Sequence, residues 1–277
     1  MTSFLDRMAS LSRERARAAR NQEPIDALTR RAEAAPDPLP LKLSSFDLIA
    51  ELKLRSPAAG GLAGSRFDAS HQLDAYVAGG AAAVSVLTEP EEFGGTLDHL
   101  AAAAARLRPA ACPVMRKDFL VDPYQAVEAR ASGASGILLI AAMLGHPELD
   151  ELVAAAQELK LFILLEAFDA DDLDRLAKLK FDTARSQVLV GVNSRDLRTL
   201  AVDFERFAEL AGQLRRDVPA VAESGIESRA DIETVAGLGF GLALVGSALM
   251  RDADAAGKVA ELIAAGRNAG GGRAACS

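Results

Sequence analysis

The sequence predicts a single (β/α)8 barrel, the TIM-barrel class of α/β folds, with an N-terminal helical extension, and three observations carry that prediction. Eight short apolar runs recur at intervals of about 20 to 35 residues, each long enough for one strand, one helix and their loops. No Gly-x-Gly-x-x-Gly turn follows the first run, which argues against a doubly wound open sheet. Charged or amide side chains close run after run, as they do where a barrel gathers its reacting groups at the strand C-termini.

The chain opens with helices. Ser3 followed by Asp6 reads as a capping pair, Phe4, Leu5, Met8 and Leu11 follow at helical spacing, and Pro24 begins a second helix. Residues 1–45 are thus an extension packed on the barrel, ending in the turn-rich Ala35-Pro36-Asp37-Pro38-Leu39-Pro40. The eight runs are Leu48–Lys53, Ala82–Leu87, Pro113–Lys117, Gly136–Ile140, Leu161–Glu166, Val188–Asn193, Ala220–Glu223 and Leu242–Val245, and they assign residues 46–265 to the barrel. The Gly-rich end, residues 266–277, reads as a flexible tail.

Composition narrows the function classes. Half of the 277 residues are apolar, enough for a large core, and 39 acidic residues against 31 basic ones disfavour nucleic acid or an anionic membrane as partner. Two tyrosines and no tryptophan offer no stacking platform for single strands. Cys112 and Cys276 lack disulfide or zinc spacing, and His71, His99 and His146 lie far apart, so no metal is expected. No apolar stretch approaches the roughly 18 residues of a membrane span. Acidic residues interleave the N-terminal arginines, which favours a solvated helix over a transit peptide. The expectation is a cytoplasmic enzyme, a monomer or weak homodimer, whose partner is a small phosphorylated molecule.

Alternation along the first run sets Leu48, Ala50, Leu52 and Leu54 on one face and Ile49, Glu51 and Lys53 on the other. The apolar set must meet the helices, so Glu51 and Lys53 point into the barrel near its mouth, where an unpaired charge is costly. A structural ion pair would explain one such pair. It does not explain the set of Glu51, Lys53, Lys117, Glu166, Asn193, Arg195 and Glu223, drawn from five runs and the loops after them. Arg116, Asp118 and Asp196 read instead as solvated loop residues or supporting ion pairs. Ser224-Gly225 and Gly246-Ser247 stand just before helical stretches in the loops after runs seven and eight, where such barrels frequently hold phosphate.

Taken together, Leu48-Ile49-Ala50-Glu51-Leu52-Lys53 with Ser56-Pro57, Ser85-Val86-Leu87-Thr88, Arg116-Lys117-Asp118-Phe119, Asp122-Pro123-Tyr124-Gln125, Glu128-Ala129-Arg130, Leu138-Leu139-Ile140, Gly191-Val192-Asn193-Ser194-Arg195-Asp196-Leu197, Glu223-Ser224-Gly225-Ile226 and Val245-Gly246-Ser247-Ala248-Leu249-Met250 resemble the indole-3-glycerol phosphate synthase family. The resemblance implies ring closure, decarboxylation and dehydration of 1-(2-carboxyphenylamino)-1-deoxyribulose 5-phosphate, without a cofactor. It implies Lys117 as general acid at ring closure, Glu166 as proton-transfer partner in dehydration, Lys53 and Glu51 as their electrostatic partners, and Asn193 as the group orienting the intermediate. Arg195 would contact the anthranilate carboxylate, Phe119 and Leu138 would wall the aromatic pocket, and Glu223 would support the network. Ser56, Ser224, Gly225, Gly246 and Ser247 would hold the phosphate or its loops.

The chain departs from the family pattern at Ala58-Ala59, where relatives often carry a second loop cation, at Ala167-Phe168, in the longer 180–186 connection, and at Ser194, where Asn is common. These departures leave open a paralogue acting on a substituted analogue, and the fold leaves open another phosphosugar-binding barrel.

Overall fold

Runs of β-branched and aliphatic residues too short to bury themselves as helices form eight parallel strands in the computed structural model, which describes residues 3–53, 55–56, 60–61, 67–196, 199 and 201–270. The strands are β1 (Asp47–Leu52), β2 (Ala83–Leu87), β3 (Val114–Lys117), β4 (Gly136–Ile140), β5 (Phe162–Ala167), β6 (Val188–Asn193), β7 (Ala220–Glu223) and β8 (Leu242–Val245). Each pairs in parallel with the next, and β1 pairs with both β2 and β8, so the sheet closes on itself. All eight sequence-predicted runs are strands, with no end displaced by more than one residue.

Period-two alternation divides the core into two clusters. Ile49, Ala83, Met115, Leu138, Leu164, Leu189, Val221 and Leu244 fill the interior. Leu48, Val84, Val114, Leu139, Leu165, Val190, Ala222 and Ala243 belong to the other cluster, shared with the surrounding helices. Inward positions become polar toward the strand C-termini, so the interior ends in charge.

Two helices precede the barrel, α1 (Phe4–Gln22) and α2 (Ile25–Ala34). Ser3 and Asp6 cap α1 reciprocally, and Pro24 stands at the α2 N-cap, where its missing N–H costs nothing. Met8 on α1 is fully buried, and Arg15 pairs with Asp118 at the end of β3.

The C-terminal reading needs correction. Gly266 to Gly270 are the last turn and a half of a helix, Ala255–Gly270, rather than the start of a flexible tail. Gly266 is buried against Phe46, and Arg267 donates to the Phe46 carbonyl at 3.1 Å and to Asp47 Oδ1 at 2.9 Å. Residues 271–277, Cys276 among them, lie outside the described part of the structure, as does Leu197.

Candidate active site

Side chains in one layer of a barrel come from alternate strands, and here β1, β3, β5 and β7 contribute Glu51, Lys117, Glu166 and Glu223. Lys117 sits at the centre. Its Nζ lies 2.9 Å from Glu223 Oε2 and 3.7 Å from both Glu51 Oε2 and Glu166 Oε2. Lys53, one residue past β1, pairs with Glu51 Oε1 at 2.8 Å. Glycine on the intervening strands makes room: a β-carbon at Gly191 on β6 would overlap Glu223 Oε1, and one at Gly246 after β8 would crowd Glu51 Oε1.

Burial and mutual charge tune these groups in different directions. Burial, reinforced by the neighbouring Glu223 carboxylate, pushes the Glu166 carboxyl up to about 8, while Lys117 pulls the other way. Burial alone would lower the Lys117 ammonium, but Glu223, Glu166 and Glu51 outweigh it and hold the group above its usual range. Burial would raise Glu51, yet Lys53 and Lys117 keep it below the ordinary carboxylate value. The layer therefore presents a held cation beside a carboxyl that keeps its proton near neutrality.

Above the layer the loops after β6, β7 and β8 form one side of the mouth. Asn193 ends β6, and its Oδ1 accepts the Arg195 N–H at 2.9 Å. Ser194 donates its N–H to the Glu223 carbonyl and its hydroxyl to the Ser224 carbonyl, so the sixth loop braces the seventh. Ser224 and Gly225 both take positive φ, 68° and 74°; the conformation is uncommon for serine and is held by this bracing. Gly246 and Ser247 open the short helix Ser247–Arg251 on the same cavity.

The opposite wall is apolar. Phe119 and Leu138 line it as expected, together with Leu87, Ile140 and Leu244. Two further rings come from outside the strand ends: Phe4 from α1, edge-on to Phe119 at 5.9 Å, and Phe93, 6.3 Å from Phe119. Phe93 ends the four-residue helix Pro90–Phe93, whose Glu89 cap accepts three backbone N–H groups. Sequence reasoning missed both rings. Phe4 carried a detectable signal, since it begins the stripe Phe4, Met8, Ser12 at helical spacing; Phe93 sits in the connection after β2, in a helix too short to show a period.

Of the expected site residues, Glu51, Lys53, Lys117, Phe119, Leu138, Glu166, Asn193, Arg195, Ser224, Gly225, Gly246 and Ser247 line one cavity. Glu223 lies at its base, fully buried and bonded to Lys117. The role expected of Ser56 falls on a side chain outside the described residues. Of the two expectations for Arg116 and Asp118 the supporting ion pair holds: both are buried and paired at 3.2 Å, with Glu128 on the other side of Arg116. Asp196 is half-buried in the sixth loop. Among the described residues no group of three or more His, Cys, Asp or Glu side chains is arranged to hold a metal ion, and no helix is long and apolar enough to cross a membrane.

Comparison with known proteins agrees with this geometry. The chain is 41% identical over 246 residues to the indole-3-glycerol phosphate synthase of Mycolicibacterium smegmatis, covering 87% of each chain. It is 40% identical over 271 residues to the protein of the same name from Rhizorhabdus wittichii, covering 95% of this chain and 99% of the other. Solved barrels such as 3-hexulose-6-phosphate synthase from Salmonella typhimurium (TM-score 0.61, 16% identity, 81% of this chain and 100% of that one) share the fold alone. So does tryptophan synthase from M. tuberculosis, at TM-score 0.59 and 19% identity over 88% of this chain and 99% of that one. The family model for indole-3-glycerol phosphate synthase matches residues 5–262, nearly the whole span that builds the barrel and its first helix, and the chain belongs to that family.

Proposed function

We propose that the chain is a carboxy-lyase of tryptophan biosynthesis that converts 1-(2-carboxyphenylamino)-1-deoxyribulose 5-phosphate to indole-3-glycerol phosphate, carbon dioxide and water. The observation that carries this reading is Lys117 Nζ held within 3.7 Å of three carboxylates at the base of a cavity that is aromatic on one side and backbone-rich on the other.

Each half of the ligand has a matching wall. The phosphate fits the N–H groups around Ser224-Gly225 and Gly246-Ser247, with Ser56 in the first loop, and the aromatic ring fits between Phe119 and Leu138. Arg195 holds the ring carboxylate. Closure needs the ring carbon bearing that carboxylate to attack the ketone carbon, and negative charge grows on the ketone oxygen as the bond forms. Lys117, kept protonated by its carboxylates, meets that oxygen and transfers a proton as it becomes an alkoxide. Loss of carbon dioxide then restores the aromatic ring.

Dehydration has different needs: the new hydroxyl must leave with a proton, and the adjacent methylene must lose one. Glu166 is the group whose proton is balanced near neutral pH, so it serves this step as the proton-transfer partner. Glu51, Lys53 and Glu223 fix the charge around it, and Asn193 orients the intermediate. We place the enzyme in the cytoplasm as a monomer or weak homodimer that needs no cofactor.

The test supplies this substrate and follows indole formation, which appears on a dark background because the chain has no tryptophan. Wild type should turn over, and Lys117→Ala should lose about 100- to 1000-fold in kcat/KM while staying folded at neutral pH. Comparable rates in the two proteins would remove Lys117 from the mechanism.

A further inference from the structure

The sequence motif that follows Lys117, residues 118–125, sends the side chains of Asp118, Asp122 and Gln125 to α1. Asp118 accepts from Arg15 Nη2 at 2.7 Å, and Gln125 Nε2 donates to the buried Ser12 hydroxyl at 2.8 Å. Gln125 Oε1 in turn accepts the backbone N–H groups of Val121 and Asp122, so the segment is stiffened where it grips.

The same carboxylate fixes the site. Asp118 accepts the Phe119 N–H at 2.8 Å and the Thr88 hydroxyl at 2.7 Å, while the Thr88 N–H donates to the Lys117 carbonyl at 3.0 Å. Asp118 thereby holds the backbone on either side of the lysine and the aromatic wall. Helical spacing puts Phe4, Met8, Ser12 and Arg15 on one stripe of α1. Arg15 lies eleven residues after Phe4, about 16 Å along the axis, so a bond at Arg15 sets how far Phe4 reaches into the cavity.

We propose that Arg15–Asp118 and Ser12–Gln125 form a clasp that registers α1 against the third strand, making Arg15 and Asp118 positioning residues that set the Phe4–Phe119 wall for the aromatic half of the ligand. The clasp rests on the function proposed above and adds to it a division of labour: affinity for the ring depends on α1, whereas affinity for the phosphate does not. Arg15 is not among the residues that line the cavity, so its loss reaches the site through α1 and through Asp118.

Steady-state kinetics on the full chain separate the two. Arg15→Met keeps the apolar stem and removes the guanidinium; it should raise KM for the carboxyphenylamino substrate about fivefold or more, with kcat within about twofold. The inhibition constant of inorganic phosphate, which has no ring, should not move. Arg15→Lys should recover most of the lost affinity through a single bond to Asp118. An unchanged KM in Arg15→Met overturns the clasp, and so does a parallel rise in the phosphate constant, which would mean that the whole mouth has loosened. Should Arg15→Met fail to fold, Ser12→Ala carries the same comparison, with a smaller rise in KM expected and a flat KM decisive against the clasp. Absence of indole from wild type would instead overturn the proposed function and the clasp with it.

Discussion

Glu166 is 2% exposed and shares Lys117 with two other carboxylates, so its proton is governed by neighbours rather than by water. Its ordinary value is 4.5 and its folded value about 8, so between these pH values the folded state binds a proton that the unfolded state has released. Stability from this group is complete below pH 4.5 and is lost as pH rises toward 8. Glu166→Gln removes the titration. Its thermal midpoint should therefore fall less between pH 5 and pH 9 than that of wild type, and its kcat should be low at every pH. If the variant and wild type trace parallel midpoint curves, Glu166 does not hold the extra proton. At this scale the sequence was informative wherever an inward position carried charge, because alternation alone shows that Glu51 and Lys53 cannot face the helices. It was silent on which carboxylate keeps a proton, since that depends on distances across the barrel between strands far apart in the chain.

Elements were legible where a period declared them, and the strands are the clearest case. The final helix shows how the signal fails. Gly266 reads as a helix breaker in a Gly/Ala-rich end, but its missing side chain is what lets the helix approach Phe46, and no local pattern encodes a contact spanning 220 residues. Two principles now oppose each other at this residue. Helix propensity favours alanine over glycine by about 1 kcal/mol, whereas a β-carbon there overlaps the Phe46 ring and costs about 1–3 kcal/mol. Packing should win, because Phe46 is itself 1% exposed and has nowhere to go. Gly266→Ala should lower the urea midpoint without changing the slope. A higher midpoint would show that the helix end is loose after all. Phe4 and Phe93 went unread for a related reason: each reaches the cavity from an element outside the βα repeat.

For the molecule as a whole, the charged layer is a cost borne by an otherwise apolar cylinder. Four ionisable side chains close an interior of aliphatic residues, and buried ions recover their desolvation only through good pairing. Lys117 is the one cation within 4 Å of all three carboxylates among the described ion pairs, while Lys53 pairs with Glu51 alone. Replacing Lys117 by methionine would keep most of its volume and leave the carboxylates facing one another. At low pH they can take up protons and the barrel should hold; as pH rises, keeping those protons costs progressively more relative to the unfolded chain. Lys117→Met should therefore lie close to wild type in unfolding free energy at pH 5 and fall below it by a widening margin toward pH 9. Denaturant titrations at pH 5, 7 and 9 read this directly. A constant margin across the series would mean that the layer does not depend on Lys117 for its charge balance. Lys117 would then add no pH-dependent support to the fold, and the arrangement would serve the proposed reaction without its charge also holding the mouth of the barrel together.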